Sequence, residues 1–361
     1  MNQRRRLLII APSWHGNDGI ALVTRESVAA LCSQFQTTLW GYHDSSPPHP
    51  SFNGAWRSYA SSRPSLISAA LELGLTSQSL LDILVLHSDL APLALPAKMR
   101  GARLTLFLHG VECWRCLRGT KALALRATDR LIANSAHTAT NFVRWNWPNR
   151  VGKPPPIVCH LGVPPLTGSL EEALASPPLP EQQGPYALIV GRIAASEGYK
   201  GHDRLIEAWN QVVAATPSAC LLIVGDGDDR LRLEAKVKRF GLSRSISFLG
   251  RVPNDQLLGL YAHCEFFVMP SDGEGFGLVY LEAMRAGKPC VAFPGAAEEV
   301  IVREETGLIV GDVAELSSAI TRLFQFPDET LAMGKAARDR YLSVFTAKAF
   351  HRRLLDTMME T

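Results

Sequence analysis

The sequence predicts an α/β chain of two domains, each built on a parallel sheet. Short apolar runs alternate with helix-periodic segments along most of its length, as strands and crossover helices do. That alternation pauses at a proline-rich stretch, 164–185, and restarts at Tyr186. A length of 361 residues also suffices for two domains of ordinary size.

Leu7–Ala11 reads as the first buried strand. The basic start, Arg4-Arg5-Arg6, suggests a signal peptide, but the apolar run after it is too short and lacks a small-residue cleavage site. Gly16 and Gly19 open the first strand-to-helix turn, where a ligand can approach backbone closely, and a helix follows over Ala21–Phe35. Residues 41–65, rich in Ser, Pro, Gly and His, read as loop. Ile83–His87 and Leu104–Leu108 are strand-like, and the second ends in His109-Gly110-Val111-Glu112. A histidine just past the carboxyl end of a parallel strand sits where α/β proteins bind ligands. Leu131–Ala133 enters a Ser-capped helix through Asn134 and Ser135, and these two residues with His160 are further site candidates. Pro164–Pro185, with Glu171, Glu172 and Glu181, reads as a linker.

The second half begins with Tyr186–Val190 and Gly191-Arg192, then Gly198-Tyr199-Lys200-Gly201 and an amphipathic Leu205–Ala215. Arg192 and Lys200 bracket a strand-to-helix loop, where two permanent cations can grip a diphosphate and offset charge as it leaves. Gly225-Asp-Gly227 after Cys220–Val224 imitates a dinucleotide fingerprint, but the third glycine is Arg230. Asp226-Gly-Asp228 imitates a metal site; a structural turn with a peripheral base contact is the better reading of both. Ile246–Gly250 is the next strand, followed by Arg251 and Val252.

The stretch on which the chain turns is Phe266–Gly287. An apolar run, Phe266–Met269, stops at Pro270; a loop with Gly273, Gly275 and Gly277 follows. A helix-periodic segment then starts at Leu278 and stops at Gly287 and Pro289. A glycine loop entering a helix leaves backbone N–H groups at a dipole end carrying roughly half a unit positive charge, so phosphate is its natural guest. Carboxylates do not bind phosphate, so Glu274 in the loop and Glu282 on the helix are expected to accept hydrogen bonds from sugar hydroxyls. The last helix is expected over about 339–358.

Composition excludes several classes. Hydrophobic content of 47% with 20% charged residues is globular, and no apolar run is long enough to span a membrane. Seven cysteines form no disulfide-like framework; Cys113-Trp-Arg-Cys116 reads as two reduced thiols in a loop. Residues 1–165 hold 17 Lys and Arg against 8 Asp and Glu, and the remainder 20 against 26. The basic half, with Lys98, Arg100, Arg103, Arg115, Arg118, Lys121, Arg126 and Arg130, is suited to an anionic partner. A membrane surface fits better than nucleic acid, because no recognition fold or aromatic–basic interleaving is present.

Pro270-Ser271-x-x-Glu274-Gly275-Phe276-Gly277, with Glu282-Ala283-Met284 and Gly287-x-Pro289, resembles the E-x7-E motif of retaining GT-B glycosyltransferases of the family 4 type. Gly191-Arg192 with Lys200-Gly201 matches that family's phosphate-holding pattern, and His109 its strand-end histidine facing the donor sugar. The paired glycines usual in the first loop are interrupted here by Asp18. The resemblance covers nearly all of the second half and the first half only loosely. It implies two Rossmann-like domains facing a central cleft: 1–165 for the acceptor, 166–340 for a nucleotide-sugar donor, and 341–361 as a helix crossing back.

The implied activity is transfer of a sugar from a UDP- or GDP-linked donor to a lipid-linked or saccharide hydroxyl, with retention and without a metal or cofactor. His109, Arg192, Lys200 and Glu274 are the implied catalytic residues. Gly16, Gly19, Gly191, Arg251, Val252, Gly275, Phe276, Gly277, Leu278 and Glu282 are the implied donor contacts. The implied location is the cytoplasm, with peripheral binding at the inner membrane face. Competing readings are a soluble small-molecule acceptor, a catalytically silent nucleotide-sugar-binding regulator and, more distantly, a dehydrogenase.

Overall fold

The computed structural model describes residues 4–16, 18–48, 52–76, 81–147, 150–165 and 184–360. The expected linker and its glutamates lie almost wholly outside the described residues. Two compact units are present: Met1–Gly162 with Ala347–Thr361, and Val163–Thr346.

Among the described residues the first unit holds seven strands: β1 (Arg6–Ala11), β2 (Gln36–Gly41), β3 (Ala55–Ser58), β4 (Leu81–Val85), β5 (Arg103–Leu108), β6 (Arg130–Ala133) and β7 (Ile157–Val158). All pair in parallel, in the order β3-β2-β1-β4-β5-β6-β7. Every residue of β4 is buried, as is all of β5 except its first residue. Such near-continuous apolar strands belong in a parallel sheet covered on both faces. The strand order reverses direction between β1 and β4, and ligands of open α/β sheets bind at such a switch point, beyond the strand carboxyl ends.

The second unit repeats the plan with β8 (Tyr186–Val190), β9 (Cys220–Val224), β10 (Ile246–Gly250), β11 (Phe266–Met269), β12 (Cys290–Ala292) and β13 (Gly307–Ile309). Their order is β10-β9-β8-β11-β12-β13, again all parallel, so the switch point lies between β8 and β11. All four residues of β11 are buried, each of them worth roughly 1.5–3 kcal/mol of transfer free energy.

Two sequence expectations are corrected. Residues 41–65 are not all loop: β3 lies within them and a helix begins at Arg63, running to Thr76. β3 is an exposed edge strand with one short apolar residue pattern, so it lacks the alternation that reveals a half-buried strand. The final helix is not continuous over 339–358. The helix Pro327–Arg340 runs into a wide turn at Tyr341–Phe345, breaks at extended Thr346, and a new helix spans Ala347–Met359. The break has a cause: Val163 donates its N–H to Phe345 O at 3.0 Å and bridges to Thr346, tying the second unit's two ends together. The helix Ala347–Met359 then packs on the helix Gly19–Leu31 of the first unit, where His351 Nε2 meets Glu26 Oε2 at 2.7 Å.

The Gly225-Asp-Gly227 turn is structural. A Cβ on Gly225 would lie 1.8 Å from Gly191 O, and one on Gly227 would lie 2.0 Å from Ile193 O. Asp228 Oδ1 accepts from Ala195 N at 2.9 Å, fastening the turn to the loop after β8. Gly225 also has φ 138°, outside the range of L side chains. Gly225→Ala is therefore expected to destabilise the second unit by more than about 2 kcal/mol. An unchanged urea midpoint in that variant would contradict the tight approach.

Candidate functional site

The loops after β8 and β11 meet at the second unit's switch point. After β8 come Gly191 and Arg192, a 3₁₀ segment Ala195–Lys200, and Gly201 in the left-handed region at φ 85°. Gly201 serves as N-cap of the helix His202–Ala215, and a Cβ there would lie 2.2 Å from Pro270 O. Asp272 N donates to Tyr199 O at 3.1 Å, and the Tyr199 ring lies where a side chain on Gly273 would have to go. The two glycines thus let the loop after β11 lie flat against the loop after β8.

Into this seam project the charged groups. Lys200 Nζ donates to Glu274 Oε1 at 2.9 Å and lies 3.9 Å from Glu197 Oε2, while Arg192 Nη1 sits 3.2 Å from Glu197 Oε1. The Lys200 and Glu274 side chains are 16% and 19% exposed; Arg192 is 62% exposed, so its guanidinium reaches solvent. Burial pulls the Lys200 ammonium pKa down, but the charge and hydrogen bond of Glu274, with Tyr199 and Glu197, outweigh it. The net direction is upward, and Lys200 stays a cation at any ordinary pH.

The helix Leu278–Arg285 starts beside this seam. Its N-cap is Gly277 at φ 87°, which brings no capping side chain to the first-turn N–H groups. Gly275, Phe276 and Gly277 are buried, with Phe276 in edge contact with Phe345 at 6.0 Å. Phe276 is thus a core side chain, and what it can offer a ligand is backbone. Leu278 is half-buried at the helix start. One turn on, Glu282 Oε2 accepts from Tyr261 Oη at 2.9 Å. Burial raises the Glu282 pKa, against the opposing pull of Arg285 and Tyr261.

Arg251 is exposed and Val252 half-buried just past β10. Beside them lies Arg230, whose Nη1 would be 3.0 Å from a Cβ on Gly250 and whose Nη2 donates to Phe248 O at 3.2 Å. Where a dinucleotide fingerprint needs a third glycine, this chain places a guanidinium at the strand end.

In the first unit, β5 delivers His109. Its backbone is held on both sides: its N–H donates to Glu112 Oε1 and its carbonyl accepts from Asn134 Nδ2, each at 2.7 Å. Asn134 is thereby a tie for the loop, and Ser135 caps the next helix by accepting from Thr138 N at 2.9 Å. The His109 ring is near Phe107 at 4.6 Å, and its Nε2 is buried without a partner among the described residues. Burial, with the nearby His87, drives its pKa down to about 3 against the pull of the Leu86 backbone, so the imidazole is neutral.

The first loop is rigidly built. Buried Asp44 accepts from Ser13 Oγ, Trp14 N and His15 N at 2.8–3.0 Å, and Arg25 donates to Trp14 O and Gly16 O. Gly16 has φ 96° and Gly19 begins the helix. Asp18, in the position of an expected glycine, is that helix's N-cap and accepts from Ala21 N at 2.8 Å. The seven cysteines are free thiols, and no metal-competent cluster of His, Cys, Asp or Glu occurs among the described residues.

Sequence reasoning missed Glu197, Tyr199 and Tyr261. Tyr199 stood beside Lys200 in the quoted string and carried a signal; Glu197 and Tyr261 carried none, since only the fold brings them to the site.

Residues 184–325 match the family model described as glycosyl transferases group 1, which bears out the resemblance across most of the second unit. A GDP-mannose-dependent monoacylated alpha-(1-6)-phosphatidylinositol monomannoside mannosyltransferase of Corynebacterium glutamicum is 39% identical over 150 residues, 38% of each chain. A 2-deoxystreptamine glucosyltransferase of Streptomyces kanamyceticus is 32% identical over 164 residues, 45% of this chain and 42% of that one. The matched stretch thus spans about two fifths of these relatives' length.

Among solved structures, Anabaena HepE with UDP and glucose aligns at TM-score 0.78 and 18% identity over 99% of this chain and 100% of that one. Sucrose-phosphate synthase of Thermosynechococcus elongatus aligns at TM-score 0.73 and 20% identity over 98% of both chains. At such identities the likeness is one of fold: the two Rossmann-like units are those of GT-B glycosyltransferases.

Two neutral histidines, half-buried His109 and buried His202, give a pH signature. His202 in the second unit, like His109 in the first, has its pKa lowered, to about 4, by burial and by Lys200. Unfolded histidines gain a proton near pH 6.5, so this stability is full above that value and falls as pH drops toward 4. Each unit is expected to lose about 2 kcal/mol between pH 7 and pH 4.5. Replacing the histidine of either unit with asparagine should flatten that unit's slope in thermal melts, and an unflattened slope in both would contradict the assignment.

Proposed function

We propose that this chain is a retaining glycosyltransferase that moves a sugar from a nucleotide-diphosphate donor to an acceptor hydroxyl. The observation that carries the reading is the Lys200–Glu274 pair at the β8/β11 switch point, beside the Leu278 helix start. A cation, a sugar-binding carboxylate and a helix N-terminus within one seam fit a glycosyl diphosphate: phosphate at the positive end, hydroxyls at the carboxylate.

In this reading Lys200 and Arg192, with the helix dipole, offset the charge that develops on the diphosphate as the C1–oxygen bond breaks. The acceptor oxygen bonds to C1 on the same face, and its proton passes to the departing phosphate oxygen. Glu274 holds donor sugar hydroxyls, and Glu282 holds the ribose. Gly191 and the 275–277 backbone line the phosphates, while Arg251 and Val252 lie beside the base. Gly16 and Gly19 keep the first unit's loop low in side chains. In the first unit, neutral His109, with an unpartnered ring nitrogen, is suited to meeting a sugar hydroxyl. Since the cations are supplied by side chains, the reading requires no metal.

The Corynebacterium relative's name supports a GDP-linked hexose and a glycolipid acceptor; the Streptomyces relative's name supports a small soluble acceptor. The basic first unit favours the lipid. It does so with fewer charges than its composition suggests, because Lys98, Arg103 and Lys121 are engaged by Asp129, Asp82 and Asp89. Arg100, Arg115 and Arg118 are exposed, near exposed Met99 and Val111 in sequence. At about 1 kcal/mol per cation near an anionic surface, the expected binding is weak and reversible. No helix among the described residues is long and apolar enough to cross a membrane.

Lys200→Ala is expected to lower kcat/KM for the accepted donor by about 10²–10³-fold with the fold intact. Arg192→Ala should lose less, being more exposed. Near-normal turnover in both variants overturns the phosphate assignment. Vesicles containing anionic lipid should pellet the protein at low salt and release it at high salt, whereas neutral vesicles should not; equal pelleting with both contradicts the basic-face reading.

A further inference from the structure

We propose that Tyr261 is a positioning residue that fixes Glu282 for recognition of the donor's ribose. The inference rests on the reading of Glu282 given above. Tyr261 lies on the helix Asn254–His263, Glu282 on the helix Leu278–Arg285, and Tyr261 Oη donates to Glu282 Oε2 at 2.9 Å. The tyrosine is 2% exposed and its ring sits 5.9 Å from that of Phe267, so its hydroxyl is aimed by the core of the unit.

A glutamate has three side-chain torsions, and a carboxylate that must accept from adjacent hydroxyls needs a fixed plane. Tyr261 supplies it by occupying one oxygen. Glu282 is half-buried and makes no other side-chain hydrogen bond among the described residues, which leaves Oε1 for a ligand. Arg285 Nη1 donates to Pro164 O at 2.7 Å, so this neighbouring cation acts on Glu282 through its charge and not through a hydrogen bond. The hydroxyl also favours the ionised form of Glu282, which burial opposes. A carboxylate accepts from ribose hydroxyls, whereas a protonated acid gives up one acceptor site. Tyr261 touches no reacting atom in this scheme; it acts through Glu282.

The test is the affinity of the full chain for UDP and GDP compared with their 2′,3′-dideoxy counterparts. The wild-type protein is expected to bind the ribose form of its preferred nucleotide at least about tenfold more tightly than the dideoxy form. Tyr261→Phe keeps the ring and its packing. It is expected to shrink that ratio several-fold while leaving dideoxy affinity unchanged, and to lose the remaining preference at a higher pH than wild type does. A thermal melt near that of wild type confirms that the variant is folded.

A wild-type preference that Tyr261→Phe leaves unaltered, in size and in pH dependence, overturns the positioning role alone. Absence of any ribose preference in the wild-type protein removes the Glu282 assignment and the inference with it. Should Tyr261→Phe melt early, Glu282→Gln gives a second comparison. A neutral amide in place of the carboxylate should remove the pH dependence of the ribose preference, and its persistence would overturn the proposal.

Discussion

The constraint on which the second unit depends is close backbone approach between two strand-end loops. Gly201 against Pro270 O and Gly273 under the Tyr199 ring are two places where any side chain would force the loops after β8 and β11 apart, and Gly225 against Gly191 O does the same between the loops after β9 and β8. Because they stay together, Lys200 reaches Glu274 across 74 residues of sequence. The pair lies low in the seam, mostly shielded from water. There its mutual attraction exceeds that of a surface ion pair, whose worth is about 0–1 kcal/mol. That shielding also holds Lys200 in one place, where a flexible surface lysine would lose entropy on gripping a ligand.

The first unit solves a different problem with similar means. Its sheet ends in a loop whose backbone is stapled by Glu112 and Asn134, so His109 is presented with little freedom. Burial keeps the ring neutral, and a neutral ring offers one donor and one acceptor nitrogen. The Leu86 backbone acts on the ring, and Nε2 is left buried without a partner among the described residues. An unsatisfied buried polar atom costs about 1–3 kcal/mol, a cost that a hydrogen bond from a ligand hydroxyl would relieve.

Much of this was legible in the sequence, for physical reasons. Parallel strands buried on both faces leave near-continuous apolar runs, and Phe266–Met269 coincides with β11 residue for residue. Glycine–charge strings are also visible, because positive φ and close approach leave few alternatives to glycine at Gly201 and Gly277. The exposed edge strand Ala55–Ser58 was hidden, since it buries nothing and its pattern carries no period. The break at Thr346 was hidden too. It follows from a bridge to Val163, a contact nearly two hundred residues apart that helical periodicity cannot encode. Glu197 and Tyr261 belong with these: each acts through a partner that only the folded chain supplies.

The central claim is that one seam of the second unit receives a diphosphate as such, through cations and helix amides acting together. Calorimetric titration of the full chain with UDP and GDP against UMP and GMP tests it most directly. For whichever base is accepted, the account predicts that the diphosphate binds at least about tenfold more tightly, a difference of about 1.4 kcal/mol for the second phosphate. Equal affinity for mono- and diphosphates would contradict it.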